Sequence, residues 1–427
     1  MGKLRFIHAA DIHLGRPFSG LQKSNPELAE VFLTAGYQAW ERIVTVAIDR
    51  KVDFVTLGGD TFDASYPTIR ARVAFRDGVH RLQAAGIPIF MALGNHDPLV
   101  SFPVTLRALE GLHIFDQKTQ ARIVACTEFT NGVVVFGASF AKPEVNDNLV
   151  RDFRRDPGIE VAIGLIHANL AGIGGHKNYA PCTLDDLVVA GMDVWCLGHI
   201  HSGGIVRTDP LILYSGAAQG SHMNERGPKG CYLITISNQA EPDAEFVPLA
   251  PVIWGSIEID VSGIHSLDDL LDAAEDGCVR FVQSNSGLDA AVVRINLQGS
   301  PVVGVSEMIN GEENDVLTER LSNLHVPVFL ETVRDLTSDS IDLESLMKED
   351  GFLGEFLRVC RNSVSDHSMV DEMVRAIHTE LCRKVAPRYI ADEIDPRRLI
   401  DDPQALAGTM DQVTRRIAQM FFRSKTP

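Results

Sequence analysis

Four short clusters of Asp, Asn and His, with one further His, are the residues of this 427-residue chain whose types and spacing could do chemistry. They are Asp11-Ile12-His13, Gly59-Asp60-Thr61-Phe62-Asp63, Gly94-Asn95-His96-Asp97, His167 and Gly198-His199-Ile200-His201. Carboxylate and amide oxygens mixed with imidazole nitrogens, and without a thiolate, suit Mn²⁺, Fe or Zn²⁺, whereas an all-oxygen set would favour Mg²⁺ or Ca²⁺. The clusters therefore indicate a site for divalent metal ions.

Each cluster directly follows a short apolar run that is typical of a buried strand. These runs are Leu4–Ala10, Val52–Leu57, Ile87–Leu93, Val161–Ile166 and Val194–Leu197; Val133–Phe136, Leu211–Tyr214 and Cys231–Ile236 are further predicted strands. Apolar periodicity predicts helices over about Ala29–Arg50 and Thr68–Ala85. Strand–helix alternation predicts an α/β domain, and such domains place their chemistry in loops beyond the strand ends. We expect all five clusters to meet at one edge of the sheet.

Taken alone, each piece has an ordinary structural explanation. Gly94-Asn95 is a common turn dipeptide, and Asp63 and Asp97 could be turn or helix-capping acids. A single histidine such as His167 is more often a hydrogen-bonded core residue. The joint occurrence of all five in this order, each at a strand end, favours a dinuclear metal site.

Three prolines, Pro242, Pro248 and Pro251, predict the exit from the first domain. Beyond them a small α+β domain is predicted, with strands Ser256–Val261, Ala291–Asn296 and Val326–Thr332 and helices Leu267–Ala274 and Asp315–Asn323; helical stretches follow at Ser368–Val385 and Asp402–Phe422. The predicted domains are residues 1–250, 256–345 and 346–427. Met369, Met373 and Ile377 belong to a helical stripe that could bind a partner helix or pack on its own domain.

The formal net charge of −18, from 57 acidic and 39 basic residues, excludes an overall basic coat for nucleic acid. From Gly255 onward the chain has 31 acidic and 17 basic residues, which fits docking of a protein better than of DNA. Local phosphate contacts could come from cations near the clusters, although each alone could equally be a solvated surface residue: Arg16, Lys23, Arg70, Arg72, Arg76, Lys177, Arg226 and Lys229.

Seven scattered cysteines without a C-x-x-C pair indicate reduced thiols rather than a disulfide framework. The sequence has no apolar run near the roughly 18 residues of a membrane span. A cytoplasmic location is therefore expected.

Together, the five clusters resemble the signature of the calcineurin-like metallophosphoesterases. The opening from Arg5 to Gly15 and the stretch from Tyr214 to Glu225 resemble the SbcD-type DNA repair exonucleases, most closely the YhaO-like branch, although that branch often has Arg where this chain has Ser221. The resemblance implies a four-layer β-sandwich flanked by helices, with a smaller α+β capping domain and C-terminal helices.

The resemblance also implies roles for the clustered residues. One metal, usually Mn²⁺, would be held by Asp11, His13, Asp60 and His201, and the other by Asp60, Asn95, His167 and His199. The two metals would activate a hydroxide that attacks phosphorus. His96 would stabilise the transition state and protonate the leaving group, while Asp97, or Asp63, would orient an imidazole.

The function implied is that of a Mn²⁺-dependent DNA exonuclease or endonuclease, working in repair with an SMC-like coiled-coil ATPase and compatible with a homodimer. A phosphodiesterase or phosphatase acting on small phosphoesters or cyclic nucleotides is the alternative enzyme. The long C-terminal part argues against it, and the segment after Asp60 lacks the Arg of the serine/threonine phosphatases. A non-enzymatic adaptor is the third alternative, but none of the expected ligands is missing.

Overall fold

The computed structural model describes residues 3–16, 26–63, 67–125, 129–170, 178–238, 240–299 and 312–337, and residues 347–359 apart from 349, 352–353 and 356. The chain divides into two compact units. Unit 1 comprises residues 1–255, 281–293 and 322–329, and unit 2 comprises residues 256–280, 294–321 and 330–427. The helical stretches predicted after residue 367 lie outside the described residues, and the three-domain boundaries stay a prediction.

Unit 1 is built around two six-stranded sheets. In chain order the strands are β1 Lys3–Ala9, β2 Phe54–Gly58, β3 Ile89–Ala92, β4 Leu112–Ile114, β5 Gln120–Val124, β6 Val133–Ala138, β7 Val161–His167, β8 Val194–Gly198, β9 Gly204–Thr208, β10 Leu211–Tyr214, β11 Gly230–Ser237 and β12 Ala240–Pro248. The first sheet has the order β12-β11-β1-β2-β3-β4, and the second has the order β5-β6-β7-β8-β10-β9. β1 to β4 run parallel to one another, as do β6, β7, β8 and β10.

The two sheets face each other across one apolar core, to which the first contributes Phe6 and Phe54 and the second Ile163 and Leu165. In the described residues of this unit there are four α-helices, α1 Pro26–Asp49, α2 Ile69–Ala84, α3 Val104–Arg107 and α4 Leu184–Val189. The first sheet's outer face is buried with residues of α1 and α2. The second sheet's outer face is buried with Leu187 of α4. Because both faces are covered, the strands have continuous apolar runs, and the predicted four-layer fold is confirmed.

All eight strand predictions for this part of the chain are confirmed, but the expectation of a single sheet edge was wrong. Asp11, Asp60 and Asn95 follow strands of the first sheet, whereas His167 and His199 belong to the second. The strands that the sequence did not predict include β5 and β9, which are largely exposed and therefore lack an apolar signature. β12 contains Pro242 and Pro248, which an edge strand tolerates because it has unpaired positions.

The later elements form an α+β arrangement, as predicted. Strands β13 Val252–Asp260, β14 Ala290–Gln298 and β15 Val328–Asp335 form a sheet in that order, with helices α5 Leu267–Gln283 and α6 Glu312–Ser322. In unit 2, Arg294 donates two hydrogen bonds of 2.7 Å to the Glu331 carboxylate, a bidentate pair. Across the described part of the chain, no helix has the length and apolarity that crossing a bilayer requires.

The packing of α1 on α2 depends on Gly78. A Cβ at this position would lie 2.4 Å from Nε1 of the buried Trp40, which donates a hydrogen bond to the carbonyl of Ala74. We therefore expect Gly78→Ala to lower the free energy of unfolding by about 1–3 kcal/mol, because the indole has to move. Urea denaturation followed by circular dichroism measures this change.

The matched control is Gly36→Ala in α1, where an added Cβ meets no described atom within 4 Å. It should raise the free energy of unfolding by up to about 1 kcal/mol through helix propensity. Equal stability of Gly78→Ala and the wild type would contradict the packing described for the two helices.

Candidate metal centre

The clustered residues occupy strand ends of both sheets in unit 1. Asp11 and His13 follow β1, Asp60 follows β2, and Asn95 and His96 follow β3, while His167 ends β7 and His199 and His201 follow β8. The segments after β1 and β2 run side by side, since the Asp11 amide donates to the Gly59 carbonyl and the His13 amide to the Asp60 carbonyl, both at 3.0 Å. These bonds fix the distance between the first two clusters.

Four of these residues have left-handed backbone conformations, which non-glycine residues rarely adopt. The φ angles are +49° at Asp11, +50° at His13, +50° at Asp60 and +102° at His199. Such conformations cost free energy and persist only where the surroundings impose them, and they are frequent at functional sites. Their concentration here indicates that the backbone is shaped to aim these side chains.

Two glycines make room for the side chains. A Cβ at Gly94 would lie 2.2 Å from Asp60 Oδ1, and a Cβ at Gly59, where φ is +96°, would lie 2.7 Å from His167 Nδ1. Only glycine allows such close approach of backbone to a carboxylate or imidazole.

Asp11, His13 and His201 form the first group of donors. Nε2 of His13 lies 3.3 Å from Nε2 of His201, which lies 3.7 Å from Asp11 Oδ1. One ligand atom from each residue lies within 4.8 Å of the others. Two ring nitrogens and a buried carboxylate oxygen thus converge on one point.

The second group contains His167, Asn95 and Asp60, with His199 beside them. Nε2 of His167 lies 3.1 Å from Asn95 Oδ1 and 3.4 Å from Asp60 Oδ2, and the rings of His167 and His199 have their centroids 5.1 Å apart. A carboxylate oxygen of Asp60 also lies within 4.8 Å of ligand atoms of Asp11 and of His13. It is the carboxylate common to the two groups.

Hydrogen bonds at the far side of two rings determine which nitrogen faces the site. Nδ1 of His167 donates to the Gly58 carbonyl at 3.0 Å, and Nδ1 of His201 bonds Glu225 Oε1 at 2.6 Å. Each ring therefore presents Nε2 to the centre, as metal-binding imidazoles do. Glu225 is buried and also accepts from the amide and hydroxyl of Ser221.

Sequence reasoning did not assign Glu225 a role. The sequence showed only that an acid lies in the Gly-rich loop after Tyr214. That stretch supported the family resemblance as a whole, and no single residue in it was given a role. The left-handed backbone conformations at the clustered residues were also not predicted, because the only indication of them in the sequence was the adjacent glycines.

Burial and neighbouring charge set the protonation of the site. Burial opposes ionisation of Asp60, but His167 and His13 outweigh it and lower the pKa of Asp60. Burial lowers the pKa of His13. Burial acts the same way on His201, yet the Glu225 hydrogen bond and the Asp11 charge raise the pKa of His201 above its ordinary value. A cavity with ionised carboxylates and nearby imidazoles attracts a divalent cation.

His96 lies at the rim of the site, with 41% of its side chain exposed. Its amide donates to Asp60 Oδ1 at 2.9 Å, and its Nδ1 donates to the Asp63 carbonyl at 2.8 Å. Because a carbonyl only accepts, Nδ1 carries a hydrogen, and Nε2 is the ring nitrogen that is not engaged in this bond.

The two candidate orienting acids have different partners. Asp97 is buried and accepts the amides of Gly94, Asp60 and Thr61 at 2.9, 3.2 and 2.8 Å, so it ties the loops after β2 and β3 together. Burial, and then the nearby Asp60 charge, raise the pKa of Asp97. Asp63 is the acid near an imidazole, with Oδ1 3.3 Å from His13 Nδ1.

The donor set fits divalent metal ions. Its oxygens and imidazole nitrogens are buried, several lie within 3.1–3.7 Å of each other across two sheets, and the glycines leave space for them. Such a mixed set without thiolate suits Mn²⁺, Fe or Zn²⁺.

Residues 4–203 match the calcineurin-like phosphoesterase family. The chain thus contains a calcineurin-like metallophosphoesterase domain, and it is a metal-dependent phosphoesterase. Its relatives are of the YhaO, Mre11 and SbcD kinds. It is 29% identical over 367 residues to the metallophosphoesterase YhaO of Bacillus subtilis, covering 85% of this chain and 88% of the relative.

Two further relatives have names that refer to DNA repair or to a nuclease. The chain is 25% identical over 414 residues to the DNA double-strand break repair protein Mre11 of Haloferax volcanii, covering 95% of this chain and 84% of that protein. It is 24% identical over 276 residues to SbcD, a component of the nuclease SbcCD of Staphylococcus epidermidis, covering 58% of this chain and 70% of that protein.

The bond between Glu225 and His201 leads to a prediction about metal affinity. Glu225→Gln keeps the shape of the side chain but removes the charge that polarises Nδ1 of His201. We expect Mn²⁺ affinity to fall about 10- to 100-fold, as for other outer partners of metal-binding histidines. Isothermal titration calorimetry measures it, with Glu245→Gln on the exposed strand β12 as control. Equal affinity in Glu225→Gln and the wild type would show that Glu225 does not support His201.

Proposed function

We propose that this chain is a Mn²⁺-dependent nuclease that hydrolyses phosphodiester bonds of DNA in repair. The observation that carries the proposal is the position of Asp60, which lies within ligand distance of both donor groups. Two-metal sites with a shared ligand are a recurrent means of phosphodiester hydrolysis.

We assign the ligands by this geometry and by the family pattern. Asp11, His13, Asp60 and His201 would hold one metal, and Asp60, Asn95, His167 and His199 would hold the other. The bound metals would supply Lewis acidity, which acidifies a water and offsets charge on the phosphoryl oxygens.

The chain's own groups supply positioning and proton transfer. Both carboxylate oxygens of Asp11 accept from the His199 amide, at 3.3 and 3.0 Å, which holds the loop after β8. His96 would donate a proton from Nε2 to the leaving oxygen, since Nδ1 is held by the Asp63 carbonyl. Asp97 would act as a positioning residue through the amides that it holds.

DNA as the substrate is supported by where the candidate cations lie. Of the six that the structure describes, Arg16 and Arg70 line a pocket that opens at His13, and the exposed Arg226 lines one that opens at His201. Lys229 also lines the second pocket, but it is buried and its Nζ donates to the His201 carbonyl. Among the described lining residues of both pockets there is no acidic side chain. On a chain of net charge −18, such a local cationic surface favours a polyanion.

Assembly with an SMC-like ATPase, and as a homodimer, belongs to the same proposal. It is supported by the names of the relatives, one of which is a component of a nuclease. The acidic C-terminal half, with its predicted amphipathic helices, would be the surface for protein docking.

A direct assay tests the proposed function. Purified chain with Mn²⁺ is offered end-labelled linear DNA, closed circular DNA and bis-p-nitrophenyl phosphate. We expect cleavage of linear DNA and of the small ester. Cleavage of the small ester alone would favour the alternative enzyme, which acts on small phosphoesters or cyclic nucleotides.

Substitutions at His96 and at Asp60 should have different effects on metal content and activity. His96→Ala should keep its metal but lose most phosphodiester cleavage, about 100-fold or more, because a general acid contributes roughly 10²–10⁴. Asp60→Ala should lose metal. Plasma mass spectrometry gives metal content, and initial rates give activity. The assignment of His96 is refuted if His96→Ala cleaves as fast as the wild type.

A further inference from the structure

A pocket of about 270 Å³ adjoins the metal centre at His13. We call it the Tyr37 pocket; its lining includes Ile12, Arg16, Phe32, Tyr37 and Arg70. This volume is near that of pockets holding one small molecule, and it is far too small for a duplex. Whatever enters it lies beside the bond that the metal centre would cleave.

The charged side chains of the Tyr37 pocket are both arginines. Arg70 is exposed, and its guanidinium lies over the Tyr37 ring at 4.6 Å from the centroid; within the described part of the chain it has no carboxylate partner. Arg16 is 31% exposed, and its Nε lies 3.6 Å from Asp63 Oδ1. The positive charge of Arg70 is thus available to an anion, whereas that of Arg16 is shared with Asp63.

Besides the polar side chains of His13, Thr68, Gln219 and Ser221, the remaining wall of the Tyr37 pocket is apolar or aromatic. Ile12 and Phe32 are buried, and the half-buried Tyr37 presents an aromatic surface. A phosphate alone would gain nothing from these groups. A ligand with a flat apolar part and an adjoining anion uses both walls, since bases stack on aromatic rings and on guanidinium planes.

We propose that the Tyr37 pocket is a subsite for one unstacked nucleotide next to the scissile phosphate, with its base against Tyr37 and its own phosphate at Arg70. The inference rests on the proposed nuclease function and specifies how that site holds its substrate. A nucleotide in this pocket is out of its helix, so the strand at the metal centre is locally unpaired.

Binding without turnover tests the subsite. The full chain in EDTA is titrated into two fluorescein-labelled single strands of equal length, one intact and one a base-free sugar-phosphate chain, and anisotropy gives the affinities. The wild type should prefer the intact strand by about tenfold, the size of one base–aromatic stack. Tyr37→Ala should reduce this preference to nearly one, while Tyr37→Phe should keep it. An unchanged preference in Tyr37→Ala overturns the proposal.

A second pair of variants tests the anion contact and does not depend on the folding of Tyr37→Ala. Arg70→Gln should reduce the slope of log affinity against log salt by about 0.7, the effect of one phosphate contact on a single strand. Arg81→Gln removes a charge from the same helix outside the pocket, at a residue that is not one of the candidate phosphate contacts, and it should leave the slope unchanged. Equal slopes in the two variants would contradict a phosphate at Arg70.

Different measurements test the nuclease function and the nucleotide subsite. A wild-type chain that hydrolyses bis-p-nitrophenyl phosphate with Mn²⁺ but cleaves no DNA would refute the nuclease proposal. The base preference in EDTA needs no cleavage, so it decides the nucleotide subsite by itself.

Discussion

The close approach of two glycines at the ends of facing strands is the constraint on which this site depends. Gly58 ends β2 in the first sheet and Gly198 ends β8 in the second. A Cβ at Gly198 would lie 2.1 Å from the Gly58 carbonyl oxygen, and one at Gly58 would lie 3.0 Å from the Ala10 side chain. Any larger residue would separate the sheets at this edge, and with them the donors that each sheet contributes.

Hydrogen bonds across the same edge then fix the orientation of the donors. Nε2 of the buried His8 lies 3.0 Å from the Leu197 carbonyl, the Gly58 carbonyl accepts from His167, and Asp11 accepts from the His199 amide. Burial lowers the pKa of His8 to about 4, so this ring is neutral and has a structural role. Each bond joins an element of one sheet to an element of the other, which makes the site a property of the sandwich rather than of any single loop.

The sequence was sufficient for the buried strands, the principal helices and the positions of the donors, but not for largely exposed strands such as β5 and β9. Continuous apolar runs predicted β1, β2, β7 and β8 because these strands are covered on both faces. The apolar runs alone could not show that two sheets are involved, because they carry no information about pairing partners; the four-layer arrangement was predicted only through the family resemblance. Nor could the sequence show Glu225 beneath His201, or Asp97 accepting the amides of residues 60–62, since both depend on contacts between residues far apart in the chain.

The side chains that we propose to contact the substrate could not be identified from the sequence alone. Tyr37 and Arg70 come from α1 and α2, outside every cluster, and become neighbours only because those helices pack on the first sheet. In the sequence Arg70 was one of several surface cations, and Tyr37 was a residue of an amphipathic helix. Their position beside His13 gives them a specific relation to the metal centre.

Electron paramagnetic resonance of the chain loaded with Mn²⁺ tests the central claim, that two cations share Asp60. The account predicts about two bound Mn²⁺ per chain, with the exchange-coupled spectrum of a bridged pair, which disappears in Asp60→Ala. A saturated wild-type chain that shows only the six-line signal of isolated Mn²⁺ would contradict it.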